Sequence, residues 1–83
     1  IVVGNVVTDV DNYGIWIASS ASIVTNNSVL SSGNYGIQAF GTGNTIASNV
    51  AVGGTPFGLD DIFPGCSNGW LSNVGTKSQV CIQ

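Results

Sequence analysis

The sequence predicts an all-β fold in which the chain winds into a parallel β-helix, a solenoid of about four coils with a 22-residue period. The first observation behind this prediction is that the chain repeats itself when it is shifted by one such period. The second is a composition dominated by Gly, Asn, Ser, Val and Ile, without a helical stretch. The third is length, because 83 residues leave room for one domain, 1–83, in which each short repeat buries its apolar face only against its neighbours.

The repeat is clearest at two positions of each unit. Asn5 is followed one period later by Asn27 and two periods later by Asn49, and Asn73 comes after a slightly longer interval. Eight residues beyond each Asn, the first three repeats carry an aromatic residue and the fourth carries Cys81. Because this spacing is kept in all four repeats, each repeat is expected to form one coil. The aromatic residues are Tyr13, Tyr35 and Phe57.

The first repeat shows how one coil is expected to be built. Residues 1–7 form a β-branched run that favours a strand, and residues 13–17 form a second strand after a polar turn. Alternation along this second strand directs Ile15 and Ile17 to one face and Trp16 to the other. Stacked coils then align equivalent residues in three apolar ladders: Val2, Val24, Ile46 and Trp70; Val7, Val29, Ala51 and Gly75; and Ile15, Ile37 and Leu59.

The recurring Asn residues predict a structural ladder. A polar side chain that faces inward must be hydrogen-bonded, and stacked Asn amides satisfy each other from donor to acceptor. Asn also tolerates left-handed backbone at a sharp corner, which favours a structural role over a ligand role. The ladder consists of Asn5, Asn27, Asn49 and Asn73.

The aromatic residues fall into two groups. The column formed by Tyr13, Tyr35 and Phe57 is expected to stack on itself and to hold the coils in register. Trp16 and Phe40 fall on the outside by alternation, and exposed aromatic rings stack on sugar rings or on another protein. They are therefore the candidates for contact with a glycan or a partner.

The third repeat contains an enlarged loop, 60–69, which precedes a terminal partial coil, 70–83. Asp60 and Asp61 open this loop. They could join backbone carbonyls in a calcium site, but a lone Asp-Asp pair lacks the ligand spacing of such sites, so we expect solvated loop acids and no metal or cofactor.

Charge and composition exclude several functions. Lys77 is the sole basic residue, so neither nucleic acid nor an anionic membrane finds a complementary surface, and no apolar run reaches the roughly 20 residues of a membrane span. The chain has no Arg or His, and its remaining acids, Asp9 and Asp11, lie in a different turn from Asp60 and Asp61. General acid and base catalysis by carboxylates needs two of them at a defined separation, so we expect no enzyme activity.

The two cysteines predict a disulfide. Cys66 and Cys81 are too few for a zinc site built from thiolates, and a pair that closes a short loop suits an oxidising compartment. We therefore expect a Cys66–Cys81 bridge and a secreted, extracellular protein.

The 22-residue repeats, with their Asn and aromatic-Gly-aliphatic positions, resemble the right-handed parallel β-helix repeats of secreted, pectate-lyase-like proteins. The ending from Cys66 and Trp70 through Asn73 to Cys81 resembles the closing segment of many bacterial members. The resemblance implies a right-handed coil. A pectate-lyase-like activity would need an Arg or Lys base near bound calcium, and Lys77 lies away from the acidic residues in sequence.

Two functions remain open. In the first, the uncapped strand of Ile1, Val2 and Val3 docks under the Trp70 coil of another molecule, so that structural subunits stack head to tail into an extracellular fibre or form a passive stalk. In the second, the chain is the C-terminal part of a secreted polysaccharide-cleaving or glycan-binding β-helix whose active coils are missing. The expected partner is another molecule of the chain in the first case and a polysaccharide in the second.

Overall fold

The computed structural model describes residues 1–8, 12–30, 33–53, 57–62 and 65–83. Within these ranges the chain forms ten short strands and no helix. It therefore contains no helix long and apolar enough to cross a membrane in the part that was described. The strands are β1 (Val2–Val3), β2 (Val6–Thr8), β3 (Ile15–Ile17), β4 (Ile23–Thr25), β5 (Ser28–Leu30), β6 (Ile37–Ala39), β7 (Thr45–Ala47), β8 (Val50–Val52), β9 (Leu59–Asp61) and β10 (Gly69–Leu71).

The strands form three parallel sheets, in which each strand from β1 to β7 pairs with the strand three places further along the chain. The first sheet has the order β1-β4-β7-β10, the second β2-β5-β8 and the third β3-β6-β9. With the repeats taken as residues 1–22, 23–44, 45–68 and 69–83, the first sheet takes one strand from each of the four repeats, and the second and third sheets take one from each of the first three. The predicted all-β class with parallel strands is confirmed.

A narrow core lies between the three sheets. In β4, β5, β7, β8 and β10 the middle residue is buried and its neighbours are more exposed, which is the alternation expected of a half-buried strand. Strands β6 and β9 of the third sheet are buried along their whole length, so their outward-facing residues are covered too. The fully buried apolar residues come from all three sheets and include Val24, Val29, Ile37, Ile46 and Leu59.

The aromatic-Gly-aliphatic motif has a packing reason. Before each strand of the third sheet, the backbone passes close to the second sheet and to the same corner of the next repeat. A Cβ atom on Gly36 would lie 2.6 Å from the backbone oxygen of Gly58 and 2.7 Å from the Cβ of Ala51. Only glycine fits there, which explains why Gly recurs at this position with the same period as the aromatic residue before it.

The fourth repeat leaves the pattern after β10. Val74 still bridges to Val50, at the sequence separation of 24 that Asn49 and Asn73 also have. The next bridge joins Lys77 to Leu59, at the separation of 18 that Gly58 and Thr76 also have, so this corner is six residues shorter than the corner above it. The backbone oxygen of Thr76 accepts a hydrogen bond from the Leu59 amide at 2.7 Å, and its hydroxyl accepts one from the Gly58 amide at 2.7 Å.

Two sequence-based expectations are corrected by this part of the fold. The fourth repeat does not carry Cys81 at the position below Phe57, because its shortened corner brings Lys77 under Leu59. The enlarged loop is smaller than 60–69, because β9 continues to Asp61 and β10 begins at Gly69. The shortened corner leaves residues 79–83 unused by the sheets, and these are called the terminal segment below.

The terminal segment folds back onto the last repeat. Ile82 is 1% exposed and belongs to the core cluster. A Cys66–Cys81 disulfide, with an S–S distance of 2.03 Å, joins the segment to the loop before β10 and confirms the predicted bridge. The backbone oxygen of Gln83 accepts hydrogen bonds from Asn73, at 3.1 Å from its backbone nitrogen and 2.7 Å from its Nδ2.

Candidate functional site

The Asn ladder is a continuous column of hydrogen bonds with one direction. In each step, the backbone N–H and the side-chain Nδ2 of one Asn both donate to the Oδ1 of the Asn one repeat further on. The nitrogen–oxygen distances are 2.9 and 3.0 Å from Asn5 to Asn27, 2.9 and 3.0 Å from Asn27 to Asn49, and 3.0 and 2.9 Å from Asn49 to Asn73. Donors therefore point toward the fourth repeat and acceptors toward the first.

The ladder is also tied to the backbone of the first sheet. The Nδ2 groups of Asn27, Asn49 and Asn73 donate to the backbone oxygens of Val2, Val24 and Ile46, one in each preceding repeat. Asn27 and Asn49 are buried at 1% and 0% exposure, so these bonds replace the water that a buried amide would otherwise need.

A second amide column, which sequence analysis missed, runs along the corner before the first sheet. The Ser22 amide donates to Oδ1 of Asn44 at 2.8 Å, and the backbone N–H and Nδ2 of Asn44 donate to Oδ1 of Asn68 at 2.9 and 2.8 Å. Asn44 and Asn68 have the same sequence separation, 24, as Asn49 and Asn73. The recurrence of Asn44 and Asn68 was therefore visible when the sequence was aligned with itself. It was overlooked because the first repeat has Ser22 at this position.

The end of the stack formed by the first repeat is open. Val2, Val7 and Ile15 are only partly buried, whereas their ladder neighbours in the second repeat are buried completely. Strands β1, β2 and β3 each have a partner on one side only. Asn5 is exposed, and its Oδ1 accepts no hydrogen bond from the described part of the chain. This surface is called the open end.

The end formed by the fourth repeat is closed. The Asn73 amide groups would be the last free donors of the ladder, but the backbone oxygen of Gln83 accepts from both, as an Oδ1 does at every other step. Ile82 is buried as part of the core cluster, and Val74 and Lys77 extend the second and third sheets by single bridges. This surface, which includes the terminal segment, is called the closed end.

Asp61 supports the closed end from inside. Its Oδ2 accepts hydrogen bonds from Nε1 of Trp70 at 3.0 Å and from Nδ2 of Asn68 at 3.1 Å, and its backbone oxygen accepts one from Nε2 of Gln79. At 2% exposure the carboxylate is buried among neutral donors. In the third sheet Asp61 pairs with Ala39, and Ala39 pairs with Ile17. Both of these residues belong to the core, so Asp61 lies on the strand face that is directed to the core.

Asp60 lies on the other face of the same strand. Its Oδ2 accepts a 2.7 Å hydrogen bond from Nε2 of Gln38, which is the residue above it in the register, and Trp16 is above Gln38. Asp60 is 8% exposed and Gln38 7%. The expectation that Asp60 and Asp61 are solvated loop acids is therefore wrong, because both lie in the third sheet, whose lower strands are covered on both faces.

The two described carboxylates, those of Asp60 and Asp61, do not converge on a cation site. Consecutive residues of a strand point to opposite faces, so Asp60 and Asp61 are directed apart. Across the described ranges, no three His, Cys, Asp or Glu residues are grouped as ligands of a metal ion. Asp9 and Asp11 lie outside the described residues. Lys77, the sole base of the sequence, is exposed at its bridge to Leu59.

The outward aromatic residues form one connected cluster on the side of the molecule. Tyr13 stacks on Tyr35 with ring centroids 5.6 Å apart and on Trp16 at 6.1 Å, while Trp16 meets Phe40 edge to face at 5.6 Å. Trp16 and Phe40 are about half exposed, at 53% and 48%. Among the described residues the stacking ends at Tyr35, so Phe57 does not continue the column. These four stacked rings, Tyr13, Tyr35, Trp16 and Phe40, are called the aromatic face.

The residues expected to mediate assembly lie at opposite ends. Strand β1 and strand β10 are the two edges of the first sheet. Ile1 and Val3 are exposed, at 89% and 51%, and Val2 is half-buried. Trp70 is 6% exposed and bonded to Asp61, so it does not present a bare apolar underside.

Comparisons of the chain with protein-family models, with curated proteins and with solved structures found no match.

Proposed function

We propose that this chain is a structural block of an extracellular, right-handed parallel β-helix of about four coils. One end of the block is closed by its own terminal segment, and the other end is a template on which one further parallel coil pairs. The right-handed sense is supported by the strong preference for right-handed crossovers between parallel strands of one sheet. The disulfide supports an oxidising, extracellular compartment.

The observation that carries the proposal is the one-way amide ladder. At the closed end its last donors are satisfied by Gln83, and at the open end the first acceptor, Oδ1 of Asn5, is left facing outward. An additional coil with an Asn above Asn5 would donate to that oxygen with the geometry of the three steps below it. The same coil would cover Val2, Val7 and Ile15 and pair with the free edges of β1, β2 and β3.

The polar side chains inside the molecule also favour a structural role. Asp61 holds Trp70 and Asn68, Asp60 holds Gln38, and the Asn residues hold one another. Each is engaged in bonds that fix strands, which leaves them poorly placed to exchange protons with a substrate. We therefore propose that the chain has no catalytic activity of its own.

An extended chain tests the template. A second copy of residues 23–44 is placed directly before Ile1, so that its ladder Asn precedes Asn5 by one period. We expect a higher free energy of unfolding in urea, and slower amide exchange at Val2 and Val7, because the former end becomes an interior coil. The matched control carries Leu in place of the ladder Asn of the insert and should lose most of the gain. An extended chain that unfolds at the same urea concentration as the original would contradict the proposal.

Glycan binding is a second candidate function, and the aromatic face is the observation that favours it. Half-exposed Trp16 and Phe40 lie side by side and offer apolar ring surface of the kind that packs on pyranose rings. With net charge −3, the chain should prefer neutral over acidic glycans. Affinity electrophoresis in gels that contain neutral polysaccharides should show retardation that Trp16→Ala abolishes, without release of reducing ends. Equal migration of both proteins in every gel would eliminate this candidate.

A further inference from the structure

We infer that Asn68 is the site at which this chain deamidates, and that the fold protects it until β10 separates from β7. Asn68 and Gly69 form the one Asn-Gly dipeptide of the sequence, and every other Asn is followed by a residue that has a side chain. A following glycine leaves its backbone nitrogen unhindered, so Asn-Gly is the dipeptide in which an asparagine deamidates most readily.

The reaction needs only these two residues and water. The backbone nitrogen of Gly69 loses its proton to a base and attacks Cγ of Asn68, and the new C–N bond closes a five-membered succinimide. The side-chain nitrogen of Asn68 takes up a proton and leaves as ammonia. Water then opens the ring at either carbonyl and gives aspartate or isoaspartate. Nothing in this chemistry depends on the proposed template role.

In the folded chain both reacting groups are held by hydrogen bonds. The Gly69 N–H donates to the backbone oxygen of Asn44 at 2.8 Å, so it is directed away from the attack. The Oδ1 of Asn68 accepts from the backbone N–H and the Nδ2 of Asn44. Its Nδ2 donates to the backbone oxygen of Gly41 at 3.0 Å and to Oδ2 of Asp61 at 3.1 Å. These bonds must break before the succinimide can form.

Deamidation would prevent the same bonds from forming again. A carboxylate at residue 68 cannot donate to the backbone oxygen of Gly41, and it places a second negative charge beside the buried Asp61. Isoaspartate also adds one carbon to the main chain directly before β10, which displaces Gly69 from its partner Thr45. A molecule that opens at this strand is therefore chemically marked, and the marked strand no longer closes in its former register.

The disulfide limits this opening. Cys66 lies two residues before Asn68, and its bridge to Cys81 ties the loop before β10 to the terminal segment. Loss of the bridge removes a constraint next to the reacting residues. We therefore expect the deamidation of the folded chain to depend on the redox state of the two cysteines.

Peptide mapping by mass spectrometry, after incubation at mildly alkaline pH in buffer or in urea, tests the inference. Asn68 should deamidate in urea, and at least about a hundredfold more slowly in buffer, because the strand opens rarely. Cys66→Ser with Cys81→Ser should deamidate faster in buffer than the oxidised chain. Gly69→Ala is the matched control and should suppress the reaction in urea. The fold accepts this change because the added Cβ would lie 3.7 Å from the backbone oxygen of Asn44, an ordinary contact.

Asn68→Asp tests the consequence. Its urea midpoint should fall well below that of the original chain, whereas Asn26→Asp, the same charge change at an exposed corner, should stay close to it. If Asn68→Asp does not fold, dilution of the deamidated chain from urea gives the same information, and we expect it not to recover its native circular dichroism. Deamidation as fast in buffer as in urea would overturn the inference. Full recovery of the deamidated chain, or equal midpoints for the two Asp variants, would do the same.

Discussion

The two ends of the described stack are made from the same repeat, yet only one of them is covered. At the open end, the ladder valines are half-buried and the Oδ1 of Asn5 faces outward. At the closed end, Ile82 is buried, and a backbone oxygen takes the place of an amide oxygen. The difference comes from one corner that is shorter than the corner above it, which frees residues 79–83 to fold under the stack. A shortened corner thus lets residues of the same chain cover this end of the stack.

The largest expected effect contrasts an interior ladder position with the open end. Asn49→Leu removes the oxygen that accepts from both nitrogens of Asn27 and the nitrogen that donates to Asn73. Each buried group left without a partner costs about 1–3 kcal/mol, so we expect a loss of about 3 kcal/mol or more in the free energy of unfolding.

The matched control is Asn5→Leu. The Oδ1 of Asn27 keeps the hydrogen bond from the backbone N–H of residue 5, and the new side chain lies at an exposed position. The cost should stay below about 1 kcal/mol. Urea unfolding of the two variants measures the contrast, and equal losses would mean that the two ends do not differ as described.

The next effect concerns the disulfide at the closed end. Cys66 and Cys81 are 15 residues apart, and opening a loop of that size costs about 3 kcal/mol in the simple chain-entropy model. The double Cys66→Ser, Cys81→Ser variant should lose roughly this amount while its open-end amides exchange with solvent as before. Intact mass after alkylation without reductant checks the starting material. Two modified thiols in the native protein would refute the bridge.

A smaller effect is expected when an apolar side chain at the closed end and one at the open end are truncated and the losses in the free energy of unfolding are compared. Ile82→Ala removes a buried side chain and should cost about 2–4 kcal/mol where the surroundings do not collapse into the space. Val2→Ala, at a half-buried position, should cost about 1 kcal/mol or less. We expect thermal or urea unfolding to show a larger loss for Ile82→Ala than for Val2→Ala. A Val2→Ala loss as large as that of Ile82→Ala would show that the open end is better packed than its exposure indicates.

The smallest effect is expected on the aromatic face. Trp16 is half exposed and lies on the outer side of the third sheet, so Trp16→Ala should change the free energy of unfolding by only about 0.5–1 kcal/mol, the worth of its ring contacts. Trp16→Ala does not alter the open end or the closed end, so it serves as a reference for the variants that do. A loss of several kcal/mol would place Trp16 among the residues that hold the stack together.

Much of the fold follows from the sequence because a solenoid repeats in the chain what it repeats in space. A shift of one period aligns Val24 with Val2 and Ile37 with Ile15, and these are the pairs found in the parallel sheets. The disulfide followed from there being two cysteines and one way to pair them. The second amide column could have been predicted from the same alignment. It was missed because its first position is Ser22 and not Asn.

The structure of the closed end could not be predicted from the repeat. The spacing from Asn73 to Cys81 matches that of the other repeats, so the sequence suggested a regular fourth corner, whereas the pairing of Lys77 with Leu59 depends on a shorter path between sheets. Asp61 was misjudged for a related reason. A carboxylate in a Gly- and Pro-containing stretch favours a solvated loop, and only its partners, Trp70 and Asn68, make a buried position tolerable.

Native-state hydrogen exchange of the four ladder amides tests the central claim most directly. The backbone nitrogens of Asn5, Asn27, Asn49 and Asn73 lie at nearly equal distances from their acceptors, between 2.9 and 3.1 Å, so bond geometry alone predicts similar protection. If one end is closed and the other open, Asn73 should exchange nearly as slowly as Asn49, through global unfolding, while Asn5 exchanges much faster through local fraying. Equal exchange at Asn5 and Asn73 would contradict the account.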